Sequence, residues 1–367
     1  MRPGQILSTR ALNRALLARQ MLLRRKRVNA LAAVDRLVGL QAQVPRDPYL
    51  ALWSRLDGFR PAALAEPVAE RRAVRMPLFR ATLHLVSATD ALALRPVIGP
   101  VLHRSLHSQS PFGRRLAGLD VDELIALATA LLEERPRTRA ELAPSLSERW
   151  PDHDGPSLAY AVTYLLPLVQ TTPRGVWGRS GPAAFTTVEH WLGRPLASST
   201  DPGPIILRYL AVFGPALPAD VQSWCGLAAT REVLERLRPR LRTFRDARGR
   251  ELFDVPRAPL PDPSTPAPVR FLPEYDNILL GHKDRGRIVA PDVPAWTDVG
   301  WGAVLVDGFP AARWRLFTEG GGAMLRIERF RSLRAAEREE LAEEAERLLA
   351  FLATGADART VRVSSYA

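Results

Sequence analysis

The sequence has little cysteine, and its apolar residues are not gathered into long runs. Cys225 is the only cysteine among the 367 residues, which excludes an intrachain disulfide and a cysteine-based zinc site. No stretch reaches the roughly 18 apolar residues that a membrane-spanning helix needs, and no secretory signal opens the chain. The six histidines show no metal-binding spacing with carboxylates. We expect a cytoplasmic protein that uses no metal and no nucleotide cofactor.

Lysine is almost as scarce, although the chain is strongly basic. The formal net charge is +12 at pH 7, yet Lys26 and Lys283 are the only lysines, so arginine carries the positive charge. A GC-rich genome raises the arginine content, but it does not by itself leave so large an excess over aspartate and glutamate. Arginine neutralises phosphate and pairs with it in a bidentate way. We therefore expect nucleic acid as the main partner.

Three successive segments repeat one order of elements, in which helices precede paired strands. In the third segment, helices lie on both sides of Gly226, and a hairpin follows whose tip carries Arg248 and Arg250. Helix, turn, helix and hairpin is the outline of a winged helix-turn-helix. The patterns predict helices over residues 8–23, 30–40, 48–56, 120–134, 155–169, 204–213 and 229–237, and strands over 74–79, 82–86, 241–245 and 251–255.

We therefore predict a mainly α fold with small β-hairpins (α+β), built as a tandem winged helix-turn-helix array that forms a concave DNA-binding cradle. The predicted domains are residues 1–118, 119–200 and 201–257 for the three winged helices, 258–268 for a proline-rich linker, and 269–367 for a C-terminal α+β part packed on the third domain. In this last part, residues 304–307 and 313–317 frame a hairpin, and residues 334–352 form a long amphipathic helix.

Two glutamines, Gln41 and Gln43, follow an apolar helix near the N-terminus. Pro45 favours an extended conformation at Val44, so we expect the helix to end close to Gln41. In an extended segment residues two apart point the same way, which brings both carboxamides toward one small space. Such a pair suits a site that orients a water or stabilises a developing cation. On spacing alone, a helix cap and a surface polar residue remain the simpler interpretation.

Four stretches resemble the winged-helix DNA glycosylases of the AlkZ and YcaQ kind. They are LQAQ at residues 40–43, RATLHLV at 80–86, LPEYDNILLGHKDR at 272–285 and VLVDG at 304–308, of which the last two are quite specific. The resemblance covers most of the chain. The catalytic motif of the family is Gln-apolar-Gln in the crosslink-repair branch and Gln-apolar-Asp in the YcaQ-like branch. The resemblance therefore places this chain in the former and implies that Gln41 and Gln43 are catalytic.

The resemblance implies a monofunctional DNA glycosylase that hydrolyses the N-glycosidic bond of N7-alkylated purines and unhooks interstrand crosslinks. Such an enzyme would give a producing organism self-resistance to a bifunctional alkylating natural product. Its partner would be double-stranded DNA carrying alkylated or crosslinked purines, bound by a monomer at the nucleoid. A non-catalytic winged-helix regulator is the main alternative. A YcaQ-like housekeeping enzyme is a weaker one, because Gln43 stands where that branch has Asp.

Basic residues in loops and hairpins are the expected DNA contacts. These are Arg46, Arg80, His84, Arg174, Arg179, Arg248, Arg250, Lys283, Arg285, Arg313 and Arg315. A lone histidine in an apolar run, such as His84, is more often a structural residue. The turn with Lys283 and Arg285 is compatible with a solvated loop or with a phosphate contact. We expect the hairpin of residues 307–314 to approach a groove, because a β-ribbon can enter one; packing on the C-terminal helix is the alternative.

Overall fold

The computed structural model describes residues 5–290, 293–294 and 299–366, which form α-helices and three β-sheets, as the α+β prediction requires. The first segment contains β1 (Ile6–Leu7), α1 (Thr9–Arg19), α2 (Ala30–Arg36), β2 (Leu40–Gln41), α3 (Asp47–Arg55), α4 (Ala62–Ala69), β3 (Ala73–Pro77), β4 (Leu83–Ser87) and α5 (Ala88–Gln109). The second contains α6 (Val121–Glu134), α7 (Arg139–Arg149), α8 (Gly155–Leu165), β5 (Leu168–Gln170), β6 (Phe185–Thr187) and α9 (Val188–Leu192).

The remaining elements belong to the third segment and to the C-terminal part. The third segment contains α10 (Gly203–Phe213), α11 (Pro218–Cys225), α12 (Thr230–Leu237), β7 (Arg242–Asp246) and β8 (Glu251–Asp254). The C-terminal part contains β9 (Arg270–Leu272), α13 (Asn277–Leu280), β10 (Gly302–Val306), β11 (Phe309–Glu319), β12 (Gly322–Arg329), α14 (Ala335–Leu352) and β13 (Ala358–Ser365). Within the described residues, no helix is both long enough and apolar enough to span a membrane.

The helix that precedes the two glutamines ends earlier than the sequence predicts. Helix α2 stops before Val38 and Gly39, whose φ angles of 58° and 85° lie outside the right-handed helical region. A Cβ atom at Gly39 would lie 2.7 Å from Cγ1 of Val86, so this turn requires glycine. The next two residues form β2, which pairs with β4. The prediction that the helix ends close to Gln41 is therefore wrong, and Gln41 is a strand residue.

One five-stranded sheet joins the first two segments. Its strand order is β2-β4-β3-β5-β6, and β3 meets β5 where Arg75 stands opposite Gln170. The apolar run after Leu165 supplies β5, so α8 ends before the predicted residue 169. A short apolar run fits a buried strand as well as a helix, and here the sheet decides between them. This sheet contains Gln41 in β2, and Gln43 follows two residues later in the chain.

The third segment has the element order of a winged helix-turn-helix. Helices α10, α11 and α12 precede the β7–β8 hairpin, and Ala216 forms an additional bridge to Phe253 of β8. Gly226 ends α11 with a positive φ of 74°, the conformation for which glycine is favoured at helix ends. Strand β1 adds to the outer edge of β7 in parallel. The tandem array and its domain boundaries stay predictions.

Buried arginine–carboxylate pairs hold the third segment and the C-terminal part against the first. Arg19 lies 2.6 Å from Asp254, and Arg55 lies 2.7 Å from Asp276, with all four side chains fully buried. The proline-rich residues 258–268 lie along α1, where the Arg19 guanidinium donates to the carbonyl of Pro259. Removing one partner of such a pair leaves an uncompensated buried charge, so these pairs fix how the segments meet.

The C-terminal sheet packs on the first segment more than on the third. Its strand order is β13-β12-β11-β10-β9, and α14 covers one face. The core between them includes Val304, Leu325 and Leu348, together with Leu50 of α3. The stretch after β9 contacts the third segment, where the Tyr209 hydroxyl donates to the carbonyl of Gly281 at 2.7 Å. Helix α3, which follows the glutamines, is thus held between this sheet and the rest of the core.

Candidate active site

Both glutamines of the motif lie beside the loop that joins β3 to β4. Gln41 pairs with His84 in the sheet, and the Ala42 amide donates to the Leu83 carbonyl at 2.8 Å. The Gln43 side-chain oxygen accepts from the Leu83 amide at 3.3 Å. Backbone pairing therefore continues from β2 to Ala42, and the Gln43 side chain contacts the first residue of β4.

Gln41 is buried, and both ends of its carboxamide are hydrogen-bonded. Its Nε2 donates to Oγ1 of Thr82 at 3.0 Å, and its Oε1 accepts from the Arg80 guanidinium at 2.8 Å. The orientation of the amide follows from this network, since only one orientation gives each atom a suitable partner. The Gln41 backbone amide donates to Oδ1 of Asn277 at 3.1 Å. Gln41 is thus fixed in place by three contacts.

The turn that supplies these partners has a strained backbone. Arg80 and Ala81 have φ angles of 53° and 55°, and neither is glycine. The turn is closed by the Leu78 amide, which donates to the Thr82 carbonyl at 3.1 Å. Non-glycine residues in the left-handed region cost on the order of 1 kcal/mol each and persist only where the surroundings impose them. Here the imposed conformation aims the Arg80 guanidinium at Gln41.

Gln43, in contrast, is exposed at the edge of a pocket of about 230 Å³. The pocket lies between the five-stranded sheet and helices α7 and α8. Its lining includes Arg75, Tyr160, Gln170 and Arg174 in addition to Gln43, and no carboxylate side chain lines it. Among the described residues, Nε2 of Gln43 has no hydrogen-bond partner. The side chain is therefore available to a molecule bound at this surface.

Burial shifts the pKa values of two arginines near the motif. Arg75 is only 2% exposed, and burial, followed by the nearby Arg174, lowers its pKa to about 10. Burial, followed by the nearby Arg285, likewise lowers the pKa of Arg80 to about 10. Both side chains remain charged at neutral pH. The surroundings of the two glutamines are therefore electropositive, which suits a polyanionic ligand.

Several of the predicted DNA contacts lie on the surface without a carboxylate partner. Among these predicted contacts, Arg46, Arg179, Lys283 and Arg285 are exposed and form no ion pair with a described residue. Arg174 is half-buried and lines the pocket beside Gln43. Arg248 is largely exposed, with its guanidinium 3.7 Å from Asp284. Arg315 is half-buried with its guanidinium over the ring of Phe317. These placements are compatible with phosphate contacts.

Three other predicted contacts already have hydrogen-bond or ion-pair partners within the protein. His84 is 1% exposed and donates from Nδ1 to the Thr82 carbonyl, and burial, followed by Arg80, lowers its pKa to about 3. Arg250 pairs with Asp246 and Asp284, and Arg313 pairs with Glu328 directly across the sheet. These side chains already have partners, which argues against direct DNA contacts from them in this conformation.

The hairpin that was expected to approach a DNA groove turns inward instead. Its tip, Asp307 and Gly308, docks on α1, where Arg10 lies 2.7 Å from the Asp307 carboxylate and Asn13 donates to the Gly308 carbonyl at 2.8 Å. A Cβ atom at Gly308 would lie 2.6 Å from Oδ1 of Asn13, so contact with α1 is close. The expectation of a groove-reading hairpin is therefore wrong in this structure, because α1 covers its tip.

Sequence reasoning missed two residues that organise the motif. Asn277 donates to the Gly39 carbonyl at 2.8 Å while it accepts from the Gln41 amide, so it connects the turn after α2 with β2. Arg75 donates to the Ala42 carbonyl at 2.6 Å. The signal for Arg75 was a charged residue inside an apolar strand. The signal for Asn277 was its place in the LPEYDN stretch, which marked the family without indicating a role.

The described residues contain no group of three histidine, cysteine, aspartate or glutamate side chains that could hold a metal ion. Asp47, at the start of α3, is 3% exposed, and burial raises its pKa to about 7, against the opposing influence of Arg46. Its Oδ2 atom has no hydrogen-bond partner, and it does not line the pocket beside Gln43. The acidic group nearest to the motif in sequence is thus separate from the pocket.

Comparisons with known proteins agree with the resemblance. A model of the family described as DNA glycosylase AlkZ-like matches residues 34–351. Among solved structures, the DNA glycosylase AlkZ of Streptomyces sahachiroi superposes with a TM-score of 0.77 at 20% sequence identity, covering 98% of this chain and 100% of that one. No curated protein sequence matches the chain. At such low identity the structural match shows a shared fold, whereas the family match covers most of the chain. The protein belongs to the AlkZ-like DNA glycosylase family and is a DNA glycosylase.

Proposed function

We propose that this glycosylase hydrolyses the N-glycosidic bond of N7-alkylated purines in double-stranded DNA and that it unhooks interstrand crosslinks formed through such bases. The observation that carries the proposal is the position of Gln43, a neutral carboxamide exposed at a pocket that no carboxylate side chain lines. In such a site the carboxamide dipole of Gln43 can orient a water molecule and stabilise developing positive charge. The site does not offer a strong general base.

The chemistry of the substrate explains why dipoles suffice. Alkylation at N7 makes guanine cationic, so the base leaves readily and the sugar develops oxocarbenium character. Such a base needs no general acid. The enzyme has to hold the sugar, place a water near the anomeric carbon and present lone pairs to the positive charge. A carboxamide oxygen performs the last two tasks without exchanging a proton. A neutral base, which leaves less readily, would require more help than this site provides.

The contacts of the two glutamines separate their proposed roles. The Gln43 Oε1 atom accepts one hydrogen bond, from the Leu83 amide, and keeps a second lone pair, so we assign to this exposed carboxamide the contact with the water and the reacting sugar. Gln41 is buried with both carboxamide atoms bonded, so it acts as a positioning residue that holds the Arg80 turn against the motif. Neither Lys26 nor Lys283 lines the pocket, which supports attack by water rather than by a lysine amine.

Crosslink unhooking follows from the same chemistry. In a crosslink each of the two N7-alkylated bases is itself a cationic leaving group. Each glycosidic bond is therefore as labile as that of a simple N7 adduct. We further propose that the enzyme acts as a monomer at the nucleoid and serves self-resistance to a bifunctional alkylating natural product. The strong arginine excess of the chain supports tight binding to duplex DNA.

The experiment compares lesions that differ in the charge of the base. One duplex sequence carries N7-methylguanine, hypoxanthine or a nitrogen-mustard crosslink between N7 atoms, and abasic sites are revealed by alkali on a denaturing gel. We expect release of N7-methylguanine and unhooking of the crosslink, with hypoxanthine left intact. Release of hypoxanthine at a similar rate would contradict the selectivity. Intact DNA with every lesion would contradict the proposed substrates.

A further inference from the structure

The pocket beside Gln43 is lined by three arginines and, among the described residues, by no carboxylate side chain. Arg75, Arg139 and Arg174 line it together with Gln170 and two tyrosines. Within the described residues, none of these three arginines forms an ion pair with a carboxylate. Hydroxyl, amide and guanidinium groups supply the polar lining. Such a lining is complementary to an anion that arrives with the ligand.

Arg75 differs in this respect from Arg19 and Arg55, two other deeply buried arginines. Arg19 and Arg55 each form two hydrogen bonds to one carboxylate, of Asp254 and Asp276 respectively. Arg75, at 2% exposure, donates only to neutral acceptors, and its Nε, like that of Arg55, has no hydrogen-bond partner among the described residues. Burying a guanidinium without a counter-charge is unfavourable. The missing partner of Arg75 is therefore expected on the open side, in the pocket.

Arg174 reaches the same pocket from the loop that joins β5 to β6. Its Nε is buried and unpartnered, and its Nη1 donates to the Gly181 carbonyl at 3.1 Å. The neighbouring Gly175 packs on Arg75, since a Cβ there would lie 2.7 Å from Cδ of Arg75. The Tyr49 hydroxyl fixes this loop by donating to the Gly175 carbonyl at 2.8 Å. The guanidinium groups of Arg75 and Arg174 thus line the same pocket, and each has an Nε atom without a hydrogen-bond partner among the described residues.

We propose that this pocket binds a single phosphodiester of the damaged strand, next to the lesion, through Arg75 and Arg174. The proposal rests on the function proposed above, in that it places damaged duplex DNA against Gln43. A cationic N7-alkylguanine would be repelled by these arginines. The pocket, at about 230 Å³, is also smaller than the roughly 300–1,000 Å³ of common ligand pockets. A phosphate has the charge and the size that fit.

The proposed phosphate site is also connected to the glutamine motif, by a hydrogen bond from Arg75 to the backbone of that motif. The same Arg75 guanidinium that faces the pocket donates to the Ala42 carbonyl at 2.6 Å, between the two glutamines. A phosphate held by Arg75 is therefore linked through one side chain to the segment that carries Gln43. Binding would set the distance between the sugar at the lesion and the Gln43 carboxamide.

The test replaces each phosphodiester near the lesion, one at a time, with a neutral methylphosphonate. The probe is a duplex with a tetrahydrofuran abasic analogue, and its affinity is measured by fluorescence anisotropy at fixed salt. For the wild-type protein we expect one linkage beside the analogue at which the replacement weakens binding by about tenfold to a hundredfold. In Arg174→Ala that selective loss should shrink to about twofold or less, because the partner of the phosphate is already missing.

Two further variants make the result specific. Arg194→Ala removes an exposed arginine that does not line the pocket, and it should keep the wild-type pattern across all linkages. Arg75→Gln should abolish the selective loss, provided that its circular dichroism and melting temperature show a folded protein. Arg174→Ala changes a half-buried loop side chain and keeps the test decisive if Arg75→Gln does not fold.

The outcomes separate this proposal from the proposed function. Equal losses at all linkages, no loss at any, or an unchanged pattern in Arg174→Ala would overturn the phosphate site. Base release by the wild type together with any of these would leave the glycosylase assignment to N7-alkylated purines intact. A selective linkage without release of N7-methylguanine would support the phosphate site and contradict the proposed substrate.

Discussion

The carboxamide oxygen of Gln41 lies 2.8 Å from the Arg80 guanidinium, at a turn where Arg80 itself has a φ angle of 53°. This contact joins the first half of the glutamine motif to a residue in the next family-like stretch. It also explains why the Arg80 guanidinium is only partly available to DNA. The pair sets the position of β2 and, through it, of Gln43.

We predict that Gln41→Ala and Arg80→Ala are strongly coupled. Each change should lower the single-turnover rate of base release by about tenfold to a hundredfold, since a small misplacement of the motif is enough for such a loss. The double variant should lose little more than either single variant, because the two residues act through one contact. A fully additive double loss, measured on N7-methylguanine DNA, would mean that the two side chains act independently. Arg80→Lys tests whether charge alone restores the rate.

Asn277 should be needed for both stability and activity. Asn277→Ala removes the partners of the Gly39 carbonyl and the Gln41 amide, which are both buried, and should cost about 2–4 kcal/mol in the free energy of unfolding. Base release should also fall. Asn277→Asp retains an acceptor for the Gln41 amide and should be less impaired in rate. Urea denaturation with parallel rate measurements checks this, and an unaffected Asn277→Ala protein would show that β2 is held by other contacts.

His84 should affect acid stability but not catalysis. Its pKa of about 3 in the folded state lies below the ordinary value, so the unfolded chain binds more protons between pH 3 and about 6.5. The free energy of unfolding therefore falls as the pH falls through this range, by up to about 1.4 kcal/mol per pH unit from this residue. We predict that His84→Phe reduces this dependence and keeps base release. A large loss of base release with an intact fold would return His84 to the site.

Asp47 shows the opposite dependence. Its pKa of about 7 lies above the ordinary value, so the folded state binds more protons between about pH 4 and 7, and stability is lost as the pH rises through 7. Asp47→Asn should be less sensitive to this rise in denaturation experiments at pH 5.5 and 8. Base release should persist, because Asp47 does not line the pocket. A loss of release together with a rate midpoint near pH 7 in the wild type would identify Asp47 as a general base.

Local features were predictable from the sequence, whereas features imposed by distant parts of the chain were not. The helix end at Gly226 depends on neighbouring residues, and the structure confirms it; the capping box of Thr138 and Glu141 likewise involves residues only three apart. The end of α2 depends on pairing with β4, which lies more than forty residues along the chain. No local pattern reveals that pairing.

The same distinction applies to the site. The arginine excess pointed to nucleic acid because residue type alone carries that information, whereas the Gln motif pointed to glycosylase chemistry only through the family resemblance. The partners of Arg313 and the position of Asp307 come from Glu328 and α1, which become neighbours only after folding. Arg75 was missed for the same reason, since its burial and its missing counter-ion are properties of the assembled sheet.

The central claim is that the exposed carboxamide of Gln43 performs the chemistry. The most direct measurement is the single-turnover rate of N7-methylguanine release by wild type and Gln43→Ala, with the affinity of each for tetrahydrofuran-containing duplex. We predict a rate at least about a hundredfold lower in Gln43→Ala, the loss typical of removing one preorganised group, with the affinity nearly unchanged. A Gln43→Ala protein that binds this duplex and releases the base at the wild-type rate would contradict the account.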